Sequence, residues 1–154
     1  MLSTNRLKGI EMQGIKEFLT SDHRECDEIF AQMEEAVASE SEEAISKFEI
    51  FHGGMIRHFD MEEKVLFPAF EYKTGMTAGP TQVMRNEHEQ MRRIMTQMVE
   101  AIGSQDRERF FGLSETLMML TQQHNTKEEQ MLYTMAEQHL STDSENIVEE
   151  MKAL

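Results

Sequence analysis

Two five-residue stretches, His58-Phe59-Asp60-Met61-Glu62 and His124-Asn125-Thr126-Lys127-Glu128, each set a histidine four residues ahead of a glutamate. Residues four apart on an α-helix lie one above the other on the same face, so each stretch aims an imidazole nitrogen and a carboxylate at one point. Imidazole suits iron, copper, nickel or zinc, and a carboxylate adds a hard, charge-neutralising donor that can bridge two ions. One such pair is ordinary on a surface helix. Two pairs on apolar helix faces point to a transition-metal site, provided the rest of the chain brings them together and adds further donors.

The elements that would position them are helical. Two prolines, no tryptophan and few β-branched runs favour helix over strand. Apolar residues then follow helical spacing in four blocks. The first carries Ile15, Leu19, His23, Cys26, Phe30, Met33 and Val37 and ends at Ser39-Glu40-Ser41. The second runs from about Glu42 to Tyr72, with Ile45, Phe48, His52, Met55, Phe59, Glu62, Leu66 and Ala69 on one line and Phe51, His58 and Val65 on the next. Pro68 is expected to kink or end it. Lys73 to Pro80 reads as a loop. The third block starts near Thr81 and repeats Met84, His88, Met91, Met95, Met98 and Ile102; Gly103 is its expected C-cap, and Ser104 to Asp106 open the next helix. The fourth carries Phe110, Leu113, Leu117, Leu120, His124, Glu128, Met131 and Met135. Residues 1–13 read as a loosely held arm, 14–140 as the four-helix unit, and 141–154 as a short helix with Ile147, Val148 and Met151, packed on an end or side of it.

Four amphipathic helices with short connections pack most simply as an up-down-up-down bundle, and such bundles build metal sites from facing side chains. With the turns near Glu40 and Ser104 at one end, His23 and His88 lie 17 and 16 residues from that end, and His58 and His124 lie 18 and 20. Glu62 and Glu128 come one turn later. Helical side chains lean toward their own N-terminus, so the histidines of alternate helices lean toward one another and converge on one level. Four histidines and two glutamates are too many donors for one ion and suit two, with the carboxylates bridging and the imidazoles terminal. Neither ion would then be fully coordinated, which implies small-molecule chemistry. The donor set fits iron, or a mixed iron and manganese pair; a structural zinc site would more often use cysteine.

Composition sets the frame for that chemistry. A chain of 154 residues can bury a real core as one domain. Its formal charge of −14 argues against nucleic acid and against anionic membranes, both of which call for basic patches. A single cysteine leaves no internal disulfide, no apolar run approaches membrane-spanning length, and the first residues lack the apolar region of a signal peptide. A cytoplasmic location is expected.

Asp22-His23, His58-Phe59 with Glu62-Glu63 and Phe67-Pro68, Glu87-His88, and His124 with Lys127-Glu128-Glu129 resemble, in order over residues 15 to 138, the hemerythrin and HHE-domain family. The resemblance implies a hemerythrin-like all-α bundle with a non-haem di-iron centre of two iron ions, held by His23, His58, Glu62, His88, His124 and Glu128. Oxygen carriers of that family have a fifth histidine where Met84 stands, and an aspartate five residues after the last histidine where Glu128 follows His124 by four. The four-histidine, two-glutamate set is closer to the branch resembling di-iron proteins of iron-centre repair and nitric oxide response. The expected function is binding or sensing of oxygen or nitric oxide at a carboxylate-bridged pair. The alternatives are reduction of nitric oxide or peroxide with electrons from a redox partner, and donation of iron to damaged iron centres.

Other polar residues receive plainer expectations. His52, six residues before His58, belongs to the core or behind the ligands, and His139 to the surface. Met84 is core, and the fifteen methionines fill irregular gaps. Cys26 is a small inert hydrophobe, Tyr133 is packing, and the pairs Glu34-Glu35 and Glu42-Glu43 are solvated. A ferritin-like centre needs Glu-x-x-His twice and finds only Glu49 with His52. A zinc-peptidase motif fails because His88-Glu89-Gln90-Met91-Arg92 ends in arginine.

Overall fold

The structure is a computed structural model that describes residues 13–154. Apart from Gln13, the expected N-terminal arm lies outside the described residues. Helix α1 spans Ile15–Ala38 and α2 spans Ala44–Met61, continuing through a π-helical turn, Glu62–Leu66, into α3, Phe67–Thr74. Helix α4 spans Pro80–Gly103. Helix α5, Arg107–Lys127, continues through a second π-helical turn, Glu128–Leu132, into α6, Tyr133–His139; α7 spans Ser144–Lys152. Four rods therefore run up and down, with α1 against α2 and α4 against α5. No strand occurs among the described residues, and no helix there is long and apolar enough to cross a membrane.

The rods end where local chemistry stops them. Gly103 is the last residue of α4 and not the left-handed cap expected of it; that conformation falls on Gln105 (φ 58°), as it does on Glu40 (φ 53°) after α1. The same turn closes both, through Ser41 N–H to Ala36 O and Asp106 N–H to Ala101 O, each 2.9 Å, satisfying carbonyls that would otherwise be orphaned. The Asp106 carboxylate then accepts from Arg109 N–H at 3.1 Å and caps α5. Gly75 (φ 73°) ends α3, where a side chain would be strained.

Glu71 ties α3 to α4 across the intervening loop. Its carboxylate accepts from both Arg85 guanidinium nitrogens, at 2.6 and 2.9 Å, and from the Thr81 hydroxyl at 2.9 Å. The Arg85 hydrogen bonds hold the Glu71 carboxyl below its ordinary value of 4.5, against the opposing effect of burial. A depressed folded-state pKa contributes stability above the unfolded value and loses it as pH falls through and below that value. Glu71→Gln should thus cost about 1 kcal/mol near neutrality, the pair being partly exposed. Urea denaturation of the two proteins should show that gap narrowing between pH 7 and pH 4.

The backbone departs from a regular helical count in two matching places. The α-helical hydrogen bonding is interrupted just before Pro68 although the rod runs on to Thr74, and Met131 is 60% exposed although the helical count turns it inward. In each π-helical turn a backbone N–H reaches the carbonyl five residues back: Phe67 N–H to Glu62 O and Tyr133 N–H to Glu128 O. The wider turn carries one extra residue and shifts every later side chain by about one position. Leu132, Tyr133 and Ala136 therefore face inward in place of Met131 and Met135, and Phe67 and Phe70 in place of Ala69. Proline does not cause this, because Thr134 follows the second turn at the place where Pro68 follows the first. Ile45, placed on the inner line by the same count, is 58% exposed at the open end of α2.

Burial falls into two apolar layers. One gathers Leu19, Met61, Leu66, Phe67, Met84, Leu132 and Tyr133 with Ile147, Val148 and Met151 of α7, which covers that end. The other gathers Cys26, Phe30, Phe51, Met55, Phe59, Met91 and Phe110. On α1, α4 and the α5–α6 rod the histidines and glutamate lie between these layers in sequence; on the α2–α3 rod His58 and Glu62 flank the step from Phe59 to Met61, where one layer gives way to the other.

Candidate metal centre

His23, His58, Glu62, His88, His124 and Glu128 are all buried, none more than 3% exposed. Six charged or polar side chains of this size are not buried without partners. Their inner atoms form two groups: Glu62, His88, His124 and Glu128, and His23, His58 and Glu128. The carboxylates lie between the groups. Glu128 Oε1 is 3.1 Å from His23 Nε2 and 3.0 Å from His124 Nε2; Glu62 Oε1 is 3.2 Å from both His58 Nε2 and His88 Nε2.

These separations bear on whether the residues fit a metal. Donors at about 2.1 Å from one octahedral ion stand about 3 Å apart when adjacent. Moreover, Glu62 Oε1, Glu128 Oε2, His124 Nε2 and both ring nitrogens of His88 are buried without a hydrogen bond of sound geometry. Each such group costs about 1–3 kcal/mol. A cluster of orphaned donors at ligand spacing fits a pair of cations that share two carboxylates.

Each histidine also meets a carboxylate on its far nitrogen. His58 Nδ1 bonds Asp22 at 2.7 Å, His124 Nδ1 bonds Glu87 at 2.8 Å and His23 Nδ1 bonds Glu129 at 2.9 Å, while His88 Nδ1 faces Glu63 at 3.4 Å. Such partners fix the tautomer and ring orientation that a metal-binding imidazole needs. The pairing is crossed between rods. Asp22 adjoins His23 in sequence but orients His58, and Glu87 adjoins His88 but orients His124. Cations hold the outer carboxylates in turn: Arg24 on Glu129 at 2.7 Å, Arg92 on Glu63 and Lys127 on Glu87.

The protonation balance reflects this crowding. Burial opposes charge on His58, but the Glu62 charge and the Asp22 hydrogen bond override it and raise the pKa to about 10. At His88 burial is likewise outweighed, by the Glu62 and Glu63 carboxylates that face its two ring nitrogens, giving about 9. His124 is raised against burial by Glu128. Burial would lift Glu62, yet His58 and its other partners hold it well below the carboxylate range. Glu63, opposed by burial, is brought down to about 2 by His88 and Arg92.

Tyr133 does more than the packing expected of it. Its hydroxyl lies among the six, donating to Glu62 Oε2 at 2.8 Å with Glu128 Oε1 at 3.1 Å. In a regular α-helix a residue five beyond Glu128 would sit about 140° around the rod; the π-helical turn brings it onto the same face. The signal that could have found it is a repeat in the chain. Asp22-His23 recurs as Glu87-His88, His58 as His124, Glu62-Glu63 as Glu128-Glu129 and Phe67 as Tyr133, always 65 or 66 residues on.

The remaining side chains take quieter places. His52 stacks on Phe48 at 5.8 Å, away from the cluster, and His139 is exposed with its edge toward Phe70. Met84 is buried in the apolar layer. Burial pushes the Cys26 thiol up to about 12, helped by Asp22, so it stays protonated and inert. Glu34, expected to be solvated, is partly buried and accepts from the Ser114 hydroxyl at 2.8 Å.

An all-α bundle with a buried cluster of four histidines and two carboxylates defines a helical cation-binding domain. The family is shown by the chain itself: the family model for the Hemerythrin HHE cation binding domain matches residues 15–136, and the chain belongs to that family. No curated protein sequence and no solved structure matches the chain.

Proposed function

We propose that the protein holds two iron ions between His23, His58, Glu62, His88, His124 and Glu128, and binds or senses a small diatomic ligand, oxygen or nitric oxide, there. The observation that carries this reading is the sharing of carboxylates between two buried donor groups: Glu128 Oε1 stands at 3.0–3.1 Å from a histidine of each. Nitrogen and oxygen donors without thiolate favour iron over structural zinc. Iron bound there would supply the redox and ligand-binding chemistry. The chain's own part is to fix the imidazoles through Asp22, Glu63, Glu87 and Glu129 and to keep bulk water out with the two apolar layers.

The test is anaerobic loading with ferrous iron, metal analysis, and then exposure to nitric oxide or oxygen under spectroscopy. Two irons per chain and a new paramagnetic or visible signature with nitric oxide are expected. A stoichiometry fixed at one, or zinc that iron cannot displace, would exclude the di-iron reading. Two irons without any spectral response to either gas would exclude the ligand.

A further inference from the structure

Phe67 and Tyr133 occupy matching places in the two halves of the bundle. Each is the first residue after a π-helical turn, each is fully buried, and each stacks on a histidine: Phe67 on His88 at 5.8 Å and 16°, Tyr133 on His23 at 5.6 Å and 29°. They differ by one oxygen atom. That oxygen lies 2.8 Å from Glu62 Oε2, 3.1 Å from Glu128 Oε1, 3.1 Å from His23 Nε2 and 3.4 Å from His58 Nε2. A phenol has a single proton to donate, and ionised carboxylates only accept, so it can satisfy Glu62 or Glu128 but not both. Its 2.8–3.4 Å distances from these atoms bracket the 3.0–3.2 Å that histidines and carboxylates of the cluster keep from one another, which is the spacing of neighbouring ligands on one ion.

We infer that Tyr133 is an oxygen ligand to the metal held by His23, His58 and Glu128, with no counterpart beside His88 and His124, so that the two metal positions are chemically unequal. The inference rests on the two-ion reading above. On ligation to ferric iron the phenol O–H bond breaks, an oxygen–metal bond forms and the proton passes to solvent, with no change of oxidation state. A small ligand is then directed to the His88 and His124 side, where Phe67 offers only a ring.

The experiment uses the full chain, iron-loaded and oxidised, with metal analysis beside visible absorption and resonance Raman spectra. Two irons per chain with a phenolate-to-ferric charge-transfer band and enhanced tyrosine ring modes are expected. Tyr133→Phe, which removes one buried oxygen and keeps the ring, should retain two irons and lose the band; Tyr72, the other tyrosine, is 93% exposed. Two irons without the band in the unaltered chain, or a band that survives in Tyr133→Phe, would overturn Tyr133 ligation while leaving the two-ion centre standing. A chain that cannot hold two ions would overturn the centre itself, and this inference with it.

Discussion

Glu128→Ala should strip both ions from the chain. Its Oε1 faces His23 and His124 at 3.1 and 3.0 Å, so one oxygen serves both donor groups. Removing it also takes the carboxylate from the inner nitrogens of His23 and His124. Breaking a buried charged pair in this way costs about 3–5 kcal/mol before any metal is counted. Bound metal stabilises the fold by mass action, so the variant loses that contribution too. Metal analysis after dialysis should fall from near two equivalents to near none, with a matching drop in thermal midpoint that added iron no longer restores. Glu62→Ala should act in the same direction, since Glu62 Oε1 faces His58 and His88. Glu71→Gln, whose carboxylate is engaged by Arg85 and Thr81, should keep two ions and serves as the control for simple destabilisation. Glu128→Ala with two ions held at unchanged affinity would show that the carboxylate is not shared.

The sequence displays the donors and their depth more readily than the backbone that positions them. Histidine and glutamate four apart on apolar stripes need only the helical period to be read, and the turns at Glu40 and Ser104 supply a common origin for counting. Those six side chains do meet in the fold. The same helical period misleads beyond Glu62 and Glu128. A π-helical turn changes the period for one turn, and no residue type in Glu-Glu-Lys-Val-Leu or Glu-Glu-Gln-Met-Leu announces it. Hence the count turns Met131 inward although it is exposed, and leaves Tyr133 to packing although its hydroxyl sits among the donors. The outer carboxylates are hidden differently. Asp22, Glu63, Glu87 and Glu129 each adjoin one of the six donors in sequence, yet each serves a histidine on another rod, a relation that exists only once the rods are packed.

That crossed arrangement leads to the second large effect. Asp22→Asn should weaken metal binding about 10- to 100-fold, because an imidazole loses the charged partner that sets its tautomer and raises its basicity. The loss should fall on the His58 side, since Asp22 bonds His58 Nδ1 at 2.7 Å. Glu87→Gln should cause a loss of the same order on the His124 side, where the bond is 2.8 Å. In stepwise titrations with ferrous iron, each single variant should therefore shift one of two binding steps and leave the other nearer its original value. The double variant should shift both. Strict additivity is not expected, because Glu62 and Glu128 each face histidines of both donor groups and coupled sites depart from it. An effect carried along the chain, from Asp22 to His23 and from Glu87 to His88, would fall on the same two donor groups, because His23 and His58 share one and His88 and His124 the other. If both steps move equally in either single variant, or neither moves, the outer carboxylates do not orient the histidines they touch.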